Sequence, residues 1–301
     1  MWTGRTGIFL EKRMRFASPL RYPGGKGGLT DFLVQVIELN DLRGCAYFEP
    51  YAGGAGAALG LLRNGVVDRI HINDADLRIY SFWRAALVEN QRFVSEIFSV
   101  PLTIEEWYKQ REVCLRPETY SEFEIGFAAF YMNRCNRSGV LSGAGPIGGY
   151  EQSGKWKLGV RFNREALAER LLALVRMSEK IQVTNLDAIA FLKSKLPSGL
   201  GRSNAFVYLD PPYVDNGQRL YLNSYSRGDH AMVSKYLDAQ SILPWVMSYD
   251  DTELIRLLYS RHRVDYLPIR YSLQNKRSTK ELFISPHRIA LPTNMPDCVN
   301  G

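Results

Sequence analysis

Long apolar runs, paired cysteines and clustered histidines are all missing from this 301-residue chain. No stretch approaches the roughly 18 uninterrupted apolar residues of a membrane-spanning helix. Near the N-terminus, basic residues flank only Gly7-Ile8-Phe9-Leu10, too short an apolar core for a signal peptide. These absences argue against membrane and secreted classes and leave a soluble, intracellular chain as the expectation. The four cysteines (Cys45, Cys114, Cys135, Cys298) are scattered, which excludes a disulfide framework or a zinc-type spacing. His71, His230, His262 and His287 include no pair four apart, as a helical metal site needs, so the chemistry is expected to proceed without a metal. Internal repeats and low-complexity tracts are also absent.

Hydrophobic residues make up 46% of the chain, enough at this length for a core of two-domain size. The formal net charge is +7, with arginine outnumbering lysine. Arginine suits forked contacts with phosphates and guanine edges. The charge is uneven. Arg134, Arg137, Lys155, Lys157, Arg161 and Arg164 fall within residues 131–164, opposed only by Glu151 and interleaved with Tyr131, Tyr150, Trp156 and Phe162. Cations alternating with stacking groups predict a surface for a polyanion.

From residue 43 the patterning alternates. Cys45-Ala46-Tyr47-Phe48 predicts a strand, Gly53-Gly54-Ala55-Gly56 a tight turn, and residues 57–63 a helix. A second strand is expected over 68–72, and Asp76 is placed to cap a helix over 77–89. Strands and helices alternating at this interval imply a parallel sheet with crossover helices. After Asn90 the rhythm changes to helical periods (104–113, 122–133) and a glycine-rich stretch (138–154). Alternation resumes with a helix from Arg164, strands at 181–183, 204–209 and 245–248, helices at 187–195 and 251–260, and strands at 263–267 and 281–285. The simplest account is one α/β domain (16–90 and 166–290) carrying a mostly helical insertion over 91–165. The interval 215–230 lacks a clear apolar period and is expected to be mobile.

Two glycine motifs invite a nucleotide reading, and neither matches a standard template. The Gly53–Gly56 turn follows a strand and opens a helix, where backbone N–H groups can approach a ligand. Its third glycine, needed at Leu59 for a dinucleotide fingerprint, comes one residue late at Gly60. Pro23-Gly24-Gly25-Lys26-Gly27-Gly28 lacks the spacing and the Ser or Thr of a phosphate loop, yet offers a cation within glycine. Asp74, at the end of the second strand, can accept hydrogen bonds from ribose hydroxyls. The most informative residues are Asp210-Pro211-Pro212-Tyr213, at the end of the apolar run Ala205-Phe206-Val207-Tyr208-Leu209. An acid, a rigid bend and an aromatic at a strand end are what gripping a planar amine requires.

Taken with Leu20-Arg21-Tyr22-Pro23-Gly24-Gly25-Lys26, Phe48-Glu49-Pro50-Tyr51-Ala52-Gly53-Gly54 and Ile72-Asn73-Asp74, this tetrapeptide makes the chain resemble the DNA adenine methylases. Motif order and the place of the insertion agree, over about residues 16–286. The resemblance implies a Rossmann-like methyltransferase sheet, S-adenosylmethionine as cofactor, double-stranded DNA as partner, and an inserted target-recognition domain. It also implies a monomer in a bacterial cytoplasm or encoded by a phage. Asp210, Pro211 and Tyr213 map onto the catalytic motif. Tyr22, Lys26, Glu49, Gly53, Gly54, Gly56, Asp74, Asp187 and Asp210 map onto the cofactor region, with Lys26 near the methionyl carboxylate, Asp74 on the ribose and Asp187 at the adenine end. Arg21, Tyr131, Arg134, Arg137 and Tyr225 are the expected DNA contacts.

Two features depart from the family pattern. Cys135-Asn136-Arg137-Ser138 stands where an aromatic-containing recognition loop is expected, which leaves the target sequence open. Residues 1–13 have no counterpart and are expected to be a disordered, dispensable extension, as residues 291–301 are expected to be a tail. Three alternatives are an RNA adenine, an exocyclic cytosine amine, or a binding protein without turnover. Competition between duplex DNA and RNA separates the first, and intact Asp210, Tyr213, Lys26 and Asp74 argue against the last.

Overall fold

The computed structural model describes residues 18–21, 26–214, 225–270, 278–293 and 299–300. Its centre is an eight-stranded sheet: β1 (Ala46–Glu49), β2 (Arg69–Asn73), β3 (Ile181–Thr184), β4 (Ala205–Leu209), β5 (Trp245–Asp250), β6 (Arg263–Arg270), β7 (Ser278–Ser285) and the two-residue β8 (Val299–Asn300). The order across the sheet is β3-β2-β1-β4-β5-β7-β6-β8. Every pairing from β3 through β5 is parallel, and only β7 runs antiparallel to its two neighbours, β5 and β6. This is the α/β, Rossmann-like arrangement that the alternation predicts. The chain order reverses between β1 and β4, and ligands of open α/β sheets bind at such a point, beyond the strands' C-terminal ends.

Alternation along the strands builds two cores. On β4, Phe206 and Tyr208 join one apolar cluster, whereas Ala205, Val207 and Leu209 join the other. The same division separates Tyr47 from Phe48 on β1, and Phe283 from Leu282 and Ile284 on β7. Successive strand side chains point to opposite faces, so a strand buried on both sides must be apolar throughout, as β4 is.

The helices are α1 (Thr30–Leu39), α2 (Gly56–Arg63), α3 (Leu77–Val88), α4 (Asn90–Ser99), α5 (Ile104–Leu115), α6 (Glu122–Cys135), α7 (Arg164–Val175), α8 (Ala188–Lys195), α9 (Arg227–Asp238) and α10 (Glu253–Leu258). Asp76 caps α3 by accepting the Arg78 N–H, as its position in the sequence indicates. The α9 helix begins inside the interval expected to be mobile. A reciprocal Ser226–Asp229 capping box starts it, and residues 226–230 are ordered by that cap. The 1–13 extension and residues 215–224 lie outside the described residues.

Segment 91–165 shares its core with the sheet's helix layer. Phe93, Trp107, Phe127, Phe130 and Phe162 belong to the same cluster as Phe82 and Trp83 of α3. Phe82 and Phe130 stack at 5.9 Å with 6° between their planes. Closest approach falls at Gly126, where a Cβ would lie 2.4 Å from the Ser81 carbonyl oxygen, so α6 can cross α3 only with glycine there. Among the described residues no helix is long and apolar enough to cross a membrane.

Candidate active site

The glycine turn after β1 is built from strained backbone. Gly53 and Ala55 both take left-handed φ values, 45° and 46°. The Gly53 N–H donates to the Asp74 carboxylate at 2.9 Å, and its carbonyl accepts the Trp83 indole N–H at 2.9 Å. The other Asp74 oxygen accepts the Asp76 N–H at 2.9 Å. Burial pushes the Asp74 carboxyl up to about 7, with Asp76 adding to the rise. Glu49, buried beneath the turn, accepts the Tyr47 hydroxyl at 3.1 Å and is pushed by burial up to about 8. Asn73 ties the neighbouring strand ends: its amide donates to the Pro50 and Leu186 carbonyls, and its oxygen accepts from Thr184 and Leu186.

This turn suits a nucleoside ligand on structural grounds. No side chain caps the N-terminus of α2, and a Cβ on Gly56 would press within 3.0 Å of the Gly27 nitrogen. Each Asp74 oxygen accepts one backbone N–H, which leaves lone pairs for hydroxyl donors. Asp187 comes after β3, the strand paired with β2, just as Asp74 comes after β2, and is the exposed N-cap of α8, accepting from Ile189 and Ala190. Tyr22 lies outside the described residues.

Across the switch point, Asp210 follows β4 directly. Its Oδ1 is crowded with donors. Ser248 Oγ donates at 2.7 Å, Tyr213 Oη at 3.3 Å, and the Lys26 ammonium lies 3.3 Å away. Because Ser248 gives its proton to Asp210, the Tyr208 hydroxyl at 2.7 Å must donate to Ser248, which orders the protons in one direction. Among the described residues no hydrogen bond reaches Asp210 Oδ2. Burial pushes this carboxyl up to about 6 against the pull of Lys26, and Glu281 adds to the rise.

The Lys26 Nζ donates to Tyr213 Oη at 2.8 Å and Glu281 Oε2 at 2.9 Å, beside Asp210 Oδ1. An ammonium has three N–H donors, and all three have acceptors here. Lys26 therefore stands at the Asp210 centre. Burial works against its charge, yet Asp210 and Glu281 outweigh that and hold its pKa above the usual range. Glu281 was invisible as a site residue in the sequence, since nothing local marks a partner 255 positions away.

Two expected DNA contacts are interior. Tyr131 is fully buried against Phe162 and donates its hydroxyl to the Pro101 carbonyl. Arg134 is 5% exposed, and its guanidinium donates to the Pro19 carbonyl. Burial and neighbouring Arg170 and Arg21 lower it to about 9. Both face inward because α6 is buried along nearly its whole length, so neither can reach a base edge. Arg21 stays partly exposed, its backbone clamped by both ends of the Asn133 amide at 2.7 Å. Arg137 is exposed in a short loop that the Asn136–Pro146 bridge closes. Tyr225 packs with Tyr51, their hydroxyls 2.9 Å apart, in the cluster that includes Tyr213. Arg78 is a second residue that sequence reading missed: buried, it forks onto Asp76 and donates to Ser142 at 2.6 Å, linking the start of α3 to the 91–165 segment.

No curated protein matches this chain. Several solved structures align with it, and two of them do so at low identity. One is a conserved hypothetical protein of Streptococcus pyogenes, 9% identical over 82% of this chain and 89% of that one, with a TM-score of 0.35. The other is a putative class I S-adenosylmethionine-dependent methyltransferase of Listeria monocytogenes, 10% identical over 92% of this chain and 65% of that one, with a TM-score of 0.38. The family match runs over residues 22–275 and so includes both glycine motifs, Asp74 and the Asp210 tetrapeptide. The chain belongs to the D12 class N6 adenine-specific DNA methyltransferases, enzymes that use S-adenosylmethionine to methylate adenine in DNA.

Proposed function

We infer that this enzyme methylates adenine within one short duplex sequence after the base has left the helical stack. Asp210 and the Pro211 carbonyl accept the two N–H bonds of its amine, and Tyr213 lies against its ring. The observation that carries this reading is the asymmetry of the Asp210 carboxylate. Three donors crowd Oδ1 while, among the described residues, Oδ2 has none, on a side chain 20% exposed where Lys26 and Glu281 stand at 5% and 2%.

The chemistry follows from the amine. Its lone pair is delocalised into the purine, so it is a weak nucleophile until two acceptors favour a more tetrahedral nitrogen. Fixed acceptors do this by orientation and electrostatic preorganisation. S-adenosylmethionine would supply the methyl group on a sulfonium, whose carbon–sulfur bond breaks with its electron pair left on the neutral thioether, while the nitrogen gains that carbon and gives up one proton. Asp210 Oδ2, already accepting an N–H, is the nearest group to receive it. A paired base is beyond reach of such a centre, which is why extrusion is required. The Tyr213 ring is pinned through its hydroxyl by Lys26 and offers a flat face for stacking.

The Gly53–Gly56 turn and Asp74 are assigned to the cofactor, with Glu49 beneath the turn and Asp187 toward the adenine end. DNA is assigned to Arg21, Arg137 and Tyr225. Arg21, Arg161 and Arg170 also surround buried Arg134 closely enough to lower it. A like-charge group of this kind suits phosphates. The test is transfer of labelled methyl from S-adenosylmethionine to unmethylated duplex DNA, with the modified base identified by mass and mapped by sequencing. Methylated adenine at one motif, lost in Asp210→Ala, is expected. Transfer to RNA alone, or to cytosine, would overturn the reading.

A further inference from the structure

Glu281 is the most deeply buried carboxylate near the reaction centre, 2% exposed, and β7 delivers it from a part of the chain remote from every catalytic motif. Its backbone pairs with Asp250 of β5 and Leu267 of β6, so the sheet fixes its position. We propose that Glu281 is a positioning residue for methyl transfer, holding Lys26 in a shared arrangement so that Asp210 keeps Oδ2 open to the substrate amine. This rests on the reading of Asp210 as the amine acceptor.

The argument is one of charge sharing. A single ammonium sits between two carboxylates, closer to Glu281 at 2.9 Å than to Asp210 at 3.3 Å. Glu281 therefore takes the larger part of the lysine's charge. Asp210 is held at Oδ1 without being neutralised, and its carboxylate stays a good acceptor. Without the Glu281 charge, Lys26 keeps Asp210 as its one anionic partner among the described residues. The pair then tightens, and the acceptor strength that the amine needs is drawn off into the ion pair.

A purely structural role predicts something different, because filling space does not move a titration. Among the described residues, the groups coupled electrostatically to Asp210 include Lys26 and Glu281, together with Glu49, Tyr47, Tyr208 and Tyr249. Tyr213 touches it directly. Of these, only Glu281 is altered by Glu281→Gln, which keeps the side-chain volume.

The experiment follows the Asp210 carboxyl carbon by 13C NMR titration in the full chain, assigned through Asp210→Asn, alongside kcat and KM across pH. In Glu281→Gln the Asp210 midpoint is expected to fall by about one pH unit, as loss of a nearby like charge requires. Plateau kcat is expected to fall by roughly tenfold or more, with KM for DNA and for S-adenosylmethionine within about threefold. Glu281→Asp, which keeps the charge, retains the wild-type midpoint. An unmoved midpoint in Glu281→Gln, or unchanged kcat, overturns the proposal even if the variant is less stable. Because the NMR titration needs no turnover, a wild type that fails to methylate DNA sinks the reading of the site separately from this inference.

Discussion

Gly56 and Gly27 meet backbone to backbone: a Cβ on Gly56 would lie 3.0 Å from the Gly27 nitrogen and 3.1 Å from its Cα. The two glycine motifs, some thirty positions apart, are thus the two sides of one contact that seats Lys26. Gly56→Ala must push the Lys26 segment away, since backbone on both sides leaves little room to yield. Overpacking of this kind costs about 1–3 kcal/mol. Weaker S-adenosylmethionine binding by calorimetry, about tenfold or more, and lower kcat are expected. In Gly27→Ala the added carbon meets only Gly56 Cα at 4.0 Å, an ordinary contact, so the effect is smaller.

Asp210 must be ionised to accept the amine, and its pKa is raised to about 6. Protonation removes the acceptor, so kcat falls as pH drops through about 6, well above the usual carboxylate range. A pH profile of kcat under saturating DNA and cofactor checks this. An acid limb near 4 would contradict it.

Glu49 and Asp74, raised by burial to about 8 and about 7, give a stability signature in the free protein. The folded state holds protons that the unfolded chain releases, so their stabilising contribution is full below the unfolded carboxylate pKa and is lost as pH rises through these values. Melting temperature is therefore expected to fall between about pH 5.5 and about pH 8.5 on their account. Glu49→Gln flattens that fall by about 2–4 °C for each kcal/mol removed. Scanning calorimetry of the two proteins at both pH values is the check.

Arg137 and Arg134 separate DNA contact from scaffolding. Arg137→Ala should leave the melting temperature unchanged while weakening DNA binding and lowering the salt slope by about one. Arg134→Ala should instead cost about 2 kcal/mol or more of stability, because it leaves a cavity and unbonded carbonyls. Tyr131→Phe, which removes only a buried hydroxyl, should leave DNA affinity unaltered and cost about 1 kcal/mol. Fluorescence anisotropy over a salt series, with melts alongside, distinguishes the three.

Much of the catalytic scaffold was legible in the sequence because its signals are local. The apolar run of β4, the turn at Gly53–Gly56, the Asp76 cap and the Asp210 bend each depend on neighbours within a few positions, where backbone sterics and hydrogen bonding act directly. The order of the motifs carried the family. Local signals ended where side chains met across the sheet. That Lys26 bonds Glu281 and Tyr213, 255 and 187 positions away, follows from strand order and register, which no short segment encodes. Composition misled on Tyr131 and Arg134. The basic, aromatic stretch 131–164 suggests a binding face, but α6, which carries Tyr131 and Arg134, is buried along nearly its whole length, and only the packing of α3 and α5 around it decided that those groups point inward.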